Sequence, residues 1–209
     1  MTLSLKAPIA KAKLPSVESL APGYIKSWQT MQVRSRSIAE ADKYAKLMSR
    51  TYKTTLMRVQ AASNVPWWWI GCALYRESNL NFSTYLGNGQ TLYKVTTIVP
   101  KGRGPWNNFD EGAIDALKYQ RYYGAKNWDL VAACYRWERF NGFGYRWRGI
   151  NTPYLYAGST AYGPPEARGG LFVSDGKFNG NEVDKRLGTV TLLKRLIQID
   201  RSVIITLPT

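Results

Sequence analysis

The sequence predicts a mainly α-helical fold, and three observations predict it. Apolar side chains recur at three- and four-residue steps over 37–63, and further helical segments come at 67–77, 110–123, 129–140 and 182–200. Leu92–Val99 (LYKVTTIV) has the β-branched and aromatic run of a strand, enough for one small β-hairpin, and beyond it just the tail Val203–Leu207 is apolar and β-branched. The chain has 209 residues, 44% of them hydrophobic and 21% charged, which allows a sizeable core and does not match a disordered composition.

Taken in order, residues 1–23 contain Pro8, Pro15, Pro22 and Gly23 and no sustained apolar period, the pattern of an extended arm. Basic residues are densest through residue 36, where Lys6, Lys11, Lys13, Lys26, Arg34 and Arg36 face a single acid, Glu18. This divides the chain into a basic N-terminal arm, 1–36, and a domain, 37–209. The domain opens on an amphipathic helix whose apolar face runs from Ile38 through Ala41, Ala45, Met48, Tyr52 and Leu56 to Val59. Lys43, Lys46, Lys53 and Arg58 lie on its other face, so it either packs on the domain or rests on a membrane. Asn64-Val65-Pro66 signals a helix start, with proline near the first position. The stretch 78–108 is loop-rich, with the hairpin candidate inside it. Asp110-Glu111 opens the next helix, Asp129 another, and Asn181 caps the last. Residues 142–180 are rich in Gly, Pro and Tyr, too long for a mere connection. Trp147, Tyr154, Tyr156, Tyr162 and Phe172 argue that they are ordered, as the wall of a binding groove.

Lys and Arg number 29 against 14 Asp and Glu, a formal charge of +15, with no histidine. The missing histidine excludes Ser-His-Asp and Cys-His triads and His-ligated zinc. Cys72 and Cys134 lie in apolar helical patterns, read as reduced buried thiols, and are too few for a disulfide framework or a four-cysteine metal site. Nothing in the chain calls for a metal or an organic cofactor. The positive field suits a polyanion: nucleic acid, an anionic membrane surface or a bacterial wall polymer. No segment approaches the roughly 18 apolar residues of a membrane span, and Met1-Thr-Leu-Ser-Leu-Lys lacks the parts of a signal peptide. The expectation is synthesis in the cytoplasm, with release by another protein or carriage in a virion.

One carboxylate stands out of place. Ile70, Ala73, Leu74 and Glu77 share one helix face, which should pack on the core. Glu77 also sits at the helix's C-terminal end, where burial and the negative helix terminus both favour the protonated acid. A carboxylic general acid needs that environment, while an ion pair with Arg76 or a capping contact is the structural reading. Glu138 flanks the stripe Leu130, Ala133, Cys134, Trp137 in the same way. Its structural reading is a buried acid paired with Arg, tying its helix to a neighbour. The 14 tyrosines and eight tryptophans suit stacking on sugar rings, with Asn141 available for hydroxyl or acetamide groups, and suit single-stranded nucleic acid equally.

The run Ala73-Leu-Tyr-Arg-Glu-Ser-Asn-Leu-Asn-Phe-Ser-Thr-Tyr-Leu-Gly-Asn-Gly89 resembles the catalytic segment of a lysozyme-like family of bacteria and tailed phages. The resemblance continues through Val99–Arg103, Trp106–Leu117, Glu138–Arg146, Thr152–Tyr156 and Val173–Phe178, covering about residues 60 to 198. More distantly the chain is similar to goose-type lysozymes and soluble lytic transglycosylases. The resemblance implies a lysozyme-like α-helical domain that cleaves the β-1,4 bond between N-acetylmuramic acid and N-acetylglucosamine, with Glu77 as general acid/base. It implies a substrate groove involving Ser78, Tyr85, Gln90, Glu138, Asn141, Gly142, Tyr145, Tyr154 and Asp175. The implied partner is bacterial peptidoglycan, with the basic N-terminal region available to an anionic membrane or wall surface.

The chain departs from the family pattern in two places. Gln90 stands where an Asp commonly follows the Asn-Gly, and Tyr75 where a His is often found. A glutamine is neither base nor nucleophile, so a two-carboxylate mechanism would need Asp175 or Glu138. A one-acid route, with the substrate's own acetamide as nucleophile, does not. The rival reading is a non-catalytic glycan-binding or phage structural protein on the same fold. No helix has the layout of a helix-turn-helix, so no specific nucleic-acid partner is expected.

Overall fold

The computed structural model describes residues 14–174 and 176–208. It is mainly α-helical with a small two-stranded antiparallel sheet. In chain order the elements are α1 (Val17–Thr30), α2 (Ser35–Lys46), a wide π-type turn (Leu47–Thr51), α3 (Lys53–Ser63), α4 (Trp67–Ser78), α5 (Phe109–Tyr119), α6 (Leu130–Asn141), the short α7 (Pro153–Tyr156), β1 (Leu171–Ser174), β2 (Lys177–Asn179) and α8 (Thr189–Ile199). They fall into two compact units. One is Leu47–Asn127; the other joins the residues up to Lys46 to those from Trp128 onward.

In the Leu47–Asn127 unit, α3 packs on α4 and α5. The first expected helix is not continuous: it widens at Leu47–Thr51, where Met48 is fully buried, and resumes at Lys53. Asn64 does not start the following helix but ends α3, in the left-handed region at φ 61°, and Pro66 takes the position before Trp67. Every residue from Trp67 to Glu77 is buried, so α4 has no wet face and its apolar period alone could not single one out. Gly71 admits this packing: a Cβ there would lie 2.5 Å from Met48 Cε and 3.1 Å from Leu56 Cδ1. Asn108 caps α5 by accepting a hydrogen bond from the Glu111 N–H.

The segment Leu92–Val99 forms no strand. Side chains, chiefly those of Thr96 and Gln90, take the place of ladder partners, and only an isolated bridge joins Thr84 to Thr91. The hairpin lies later, where β1 pairs with β2 through Phe172 and Phe178, inside the stretch 142–180.

The second unit holds the largest departure from expectation. Residues 17–23, the described end of the stretch expected to be extended, belong instead to helix α1 (Val17–Thr30), started by Ser16 accepting from the Ser19 N–H and carrying Pro22 internally. α1 packs on α6, α2 on α8, and α7 on both α6 and α8. Ala41 and Ala45 of α2 are fully buried, as are Leu192, Leu193 and Leu196 of α8, and Arg195 forks onto Asp42 at 2.6 and 3.0 Å. The last helix begins at Thr189, not 182. Asp184 turns its carboxylate onto the N–H and guanidinium of Arg186, which holds the preceding residues out of a helix. Gly188 then passes so close to α7 that a Cβ would lie 2.2 Å from the Leu155 carbonyl oxygen. Residues 1–13 of the basic arm lie outside the described residues.

Candidate functional site

Glu77 is 1% exposed, one residue from the C-terminus of α4. The backbone just beyond the helix is unusual. Asn79 and Leu80 both occupy the left-handed region, at φ 56° and 60°. Asn tolerates that region, whereas Leu there costs energy of the order of 1 kcal/mol or more. The Asn79 N–H bonds the Tyr75 carbonyl at 2.8 Å and the Leu80 N–H reaches Leu74 at 3.4 Å, so the turn also closes the helix end. Ser78 is half-buried; its hydroxyl lies 2.6 Å from the Thr84 hydroxyl and joins the helix end to the next loop.

Gln90 serves its own loop. Its side-chain oxygen accepts from the Thr97 N–H at 2.8 Å and the Ile98 N–H at 3.1 Å, and its amide donates to the Thr97 hydroxyl at 2.9 Å. Asn88 adds a bond to the Ile98 carbonyl at 3.2 Å and accepts from the Gln90 N–H at 3.1 Å. Tyr85, expected along a groove, is fully buried. Its ring stacks on Trp106 at 4.2 Å and its hydroxyl donates to Asp115 at 2.9 Å, while Arg103 pairs with the same carboxylate. Burial, reinforced by the Asp115 charge, holds the Tyr85 phenol above its ordinary range.

The other acids of the unit are engaged in its structure. Besides Glu77 it contains Asp110, Glu111 and Asp115. Asp110 pairs with Arg58 at 2.8 Å, Glu111 bonds the Asn107 N–H and the Asn108 amide at α5, and Asp115 is held by Arg103 and Tyr85.

In the other unit, Glu138 matches its structural reading. It is fully buried, and its two oxygens meet Arg146 Nε at 2.8 Å and Nη2 at 2.9 Å; the Tyr24 hydroxyl donates to it at 2.7 Å. Burial works against the Arg146 charge, but Glu138 outweighs it and keeps the guanidinium protonated. Asn141 and Gly142 end α6, both buried, with Gly142 at φ 100°, ψ 150°, backbone that requires glycine. Tyr145 is 2% exposed; its hydroxyl accepts from the Phe172 N–H at 3.2 Å and its ring packs edge-on against Phe172. Tyr154 is fully buried. Tyr85, Tyr145 and Tyr154 are therefore core tyrosines and offer no open faces to a sugar. Asp175 lies outside the described residues.

Other aromatic faces are open. Tyr93, Tyr119, Tyr123 and Trp147 are 61, 50, 46 and 41% exposed, with Lys118 over the Tyr123 ring and Arg103 over Tyr119. A cavity of about 360 Å³ is lined by Arg146, Gly149, Ile150, Asn151, Ala161, Ala167 and Arg168. The cavity and Trp147 fall within the stretch 142–180 expected to wall a groove, whereas Tyr93, Tyr119 and Tyr123 are missed, since no spacing separates an exposed tyrosine from a buried one. Among the described residues no cluster of three metal-ligating side chains exists, and no helix is long and apolar enough to cross a membrane. No protein-family model, curated protein or solved structure matches the chain.

Proposed function

We propose that the chain is a peptidoglycan-cleaving muramidase on a lysozyme-like fold, with Glu77 as its general acid and then its base. The observation that carries the reading is the placement of this one carboxylate: 1% exposed, at the end of a helix with no wet face, and followed by two residues in left-handed backbone. Strain of this kind concentrates where a side chain must be held in a set position.

In this reading Glu77 donates its proton to the glycosidic oxygen as the bond to the anomeric carbon breaks. The substrate acetamide oxygen closes on that carbon from the other face. Glu77, now a carboxylate, takes a proton either from the muramyl 6-hydroxyl, giving a 1,6-anhydro end, or from water, giving a reducing end. The one-acid route is favoured because Asp110, Glu111 and Asp115 are each committed to a base or a helix start, while Gln90 is committed to its loop. We place the enzyme as a phage lysin that reaches the wall after release by another protein or as part of a virion.

The test is mass spectrometry of the products from purified Gram-negative wall. Anhydro-muramyl or reducing muramic ends from the wild type, absent with Glu77→Gln, support the proposal. Full activity in Glu77→Gln overturns it. The lack of an available second carboxylate in this unit also suits the rival, a glycan-binding structural protein. Wall binding without any product, on wall that a control enzyme digests, would establish that rival.

A further inference from the structure

The segment 91–103 is turned inside out. Its polar side chains serve its own backbone: Thr96, 3% exposed, donates to the Pro100 carbonyl at 2.6 Å and accepts from the Arg103 N–H at 3.0 Å. The Thr96 N–H and carbonyl bond Arg103 and Gly102 at 2.9 Å each, and Gln90 holds Thr97 and Ile98 from below. Leu92, fully buried, anchors the base, where its carbonyl accepts from the Trp106 N–H. Three apolar side chains are instead left to solvent, while Leu92 and Pro100 are buried and Ile98 half-buried. Tyr93, Val95 and Val99 are 61, 50 and 60% exposed, and Lys94 and Lys101 are exposed among them.

The loop therefore keeps its shape through bonds that do not involve these three side chains, and they add little to the core. Exposed apolar residues scattered singly need no account, but three within seven residues on one rigid loop do. The surrounding charge identifies the partner. No acid occurs between Glu77 and Asp110, so the tip carries only positive charge on a chain of formal +15. Apolar side chains interleaved with lysines match a bilayer interface, where apolar groups enter the acyl boundary and ammonium groups meet lipid phosphates. Nucleic acid fits less well, because valines offer bases no stacking face.

We propose that the loop 91–103 is a membrane-docking tip that seats Tyr93, Val95 and Val99 in the surface of an anionic phospholipid bilayer, with Lys94 and Lys101 on the headgroups. This does not depend on Glu77 or on glycan cleavage.

The experiment is flotation with phosphatidylcholine vesicles, pure or with about one-third phosphatidylglycerol. The wild type should float with the anionic vesicles. Tyr93→Ser/Val95→Ser/Val99→Ser should weaken partitioning by roughly 100-fold, and Lys94→Gln/Lys101→Gln by roughly tenfold or more at low salt. All five side chains are exposed, so both variants should keep the wild-type circular dichroism and melting temperature. Because Cys72 and Cys134 are buried, Val95→Cys can be labelled selectively with an environment-sensitive dye, whose emission should shift to the blue on anionic vesicles. Three results would overturn the proposal: undiminished binding by the triple variant, a dye that stays in water while the protein floats, or binding to isolated wall with none to lipid.

Discussion

Five buried acids of this protein should make it fall apart in base, and the size of the effect can be worked out. Tyr24, Tyr85, Tyr156, Cys72 and Cys134 are each at most 1% exposed, and burial is the first cause that holds every one of them above its ordinary value of 9 or 10. For Tyr24 the facing Glu138 carboxylate adds to this. The native state thus keeps protons that the unfolded chain releases. The associated stability is complete below about pH 9 and is lost as pH rises through the unfolded thiol and phenol values. By pH 11 the thiols have cost about 3 kcal/mol each and the phenols about 1 kcal/mol each, on the order of 10 kcal/mol together, comparable to the whole stability of an ordinary domain. The assay is urea unfolding at pH 8, 9, 10 and 11, monitored by tryptophan fluorescence. The midpoint should hold near pH 8 and fall steeply above pH 9. Tyr24→Phe provides the internal control. It should cost about 2 kcal/mol at pH 8 through the lost bond to Glu138. That penalty should shrink by about 1 kcal/mol at pH 11, because one titrating group is gone. A midpoint unchanged to pH 11, or a Tyr24→Phe penalty constant with pH, would mean that these groups lose their protons as readily in the native state as in the unfolded chain.

Other outcomes rest on the contacts around Glu138, Gln90 and Gly188. Arg146→Met leaves Glu138 buried with its charge uncompensated and should cost about 3–5 kcal/mol by urea unfolding. Gln90→Ala removes the side chain that holds Thr97 and Ile98, and should speed amide exchange across 91–103 while leaving α3 and α4 protected. Gly188→Ala drives a Cβ into the Leu155 carbonyl and should cost about 2–3 kcal/mol, lowering the melting temperature of the unit built on α7 and α8.

Helix positions are legible wherever a strong apolar period meets a clear start. Asp129 stands at the head of α6, as its place in the sequence predicts, and caps it by accepting from the Ala132 N–H at 2.8 Å. α1 is not legible because Pro22 and Gly23 argue locally against helix. Its reason lies 114 residues away, in the bond from buried Tyr24 to Glu138. The strand-like run at 92–99 misleads because its backbone is satisfied by Thr96 and Gln90, contacts that no periodicity encodes. At the candidate site, Glu77 is visible as an acid out of place and Glu138 as a buried acid in need of an arginine. The expected groove tyrosines are not separable from core tyrosines, since both are aromatic residues at loop or helix positions. Exposure, which decides between them, is a tertiary property.

The division of the chain has a consequence for how it comes off the ribosome. Among the described residues one unit is a single contiguous stretch, Leu47–Asn127, and can close as soon as Asn127 has emerged. The other is split: α1 and α2 are made first, but the residues they pack against come after it. Asp42 waits 153 residues for Arg195. The alanine face of α2 is thus without α8 throughout synthesis of the intervening stretch, the interval in which a nascent chain is most open to chaperones and to aggregation. Contacts of such long sequence separation also close slowly. The contiguous unit should be the first to acquire protection during refolding, and the split unit should set the pace.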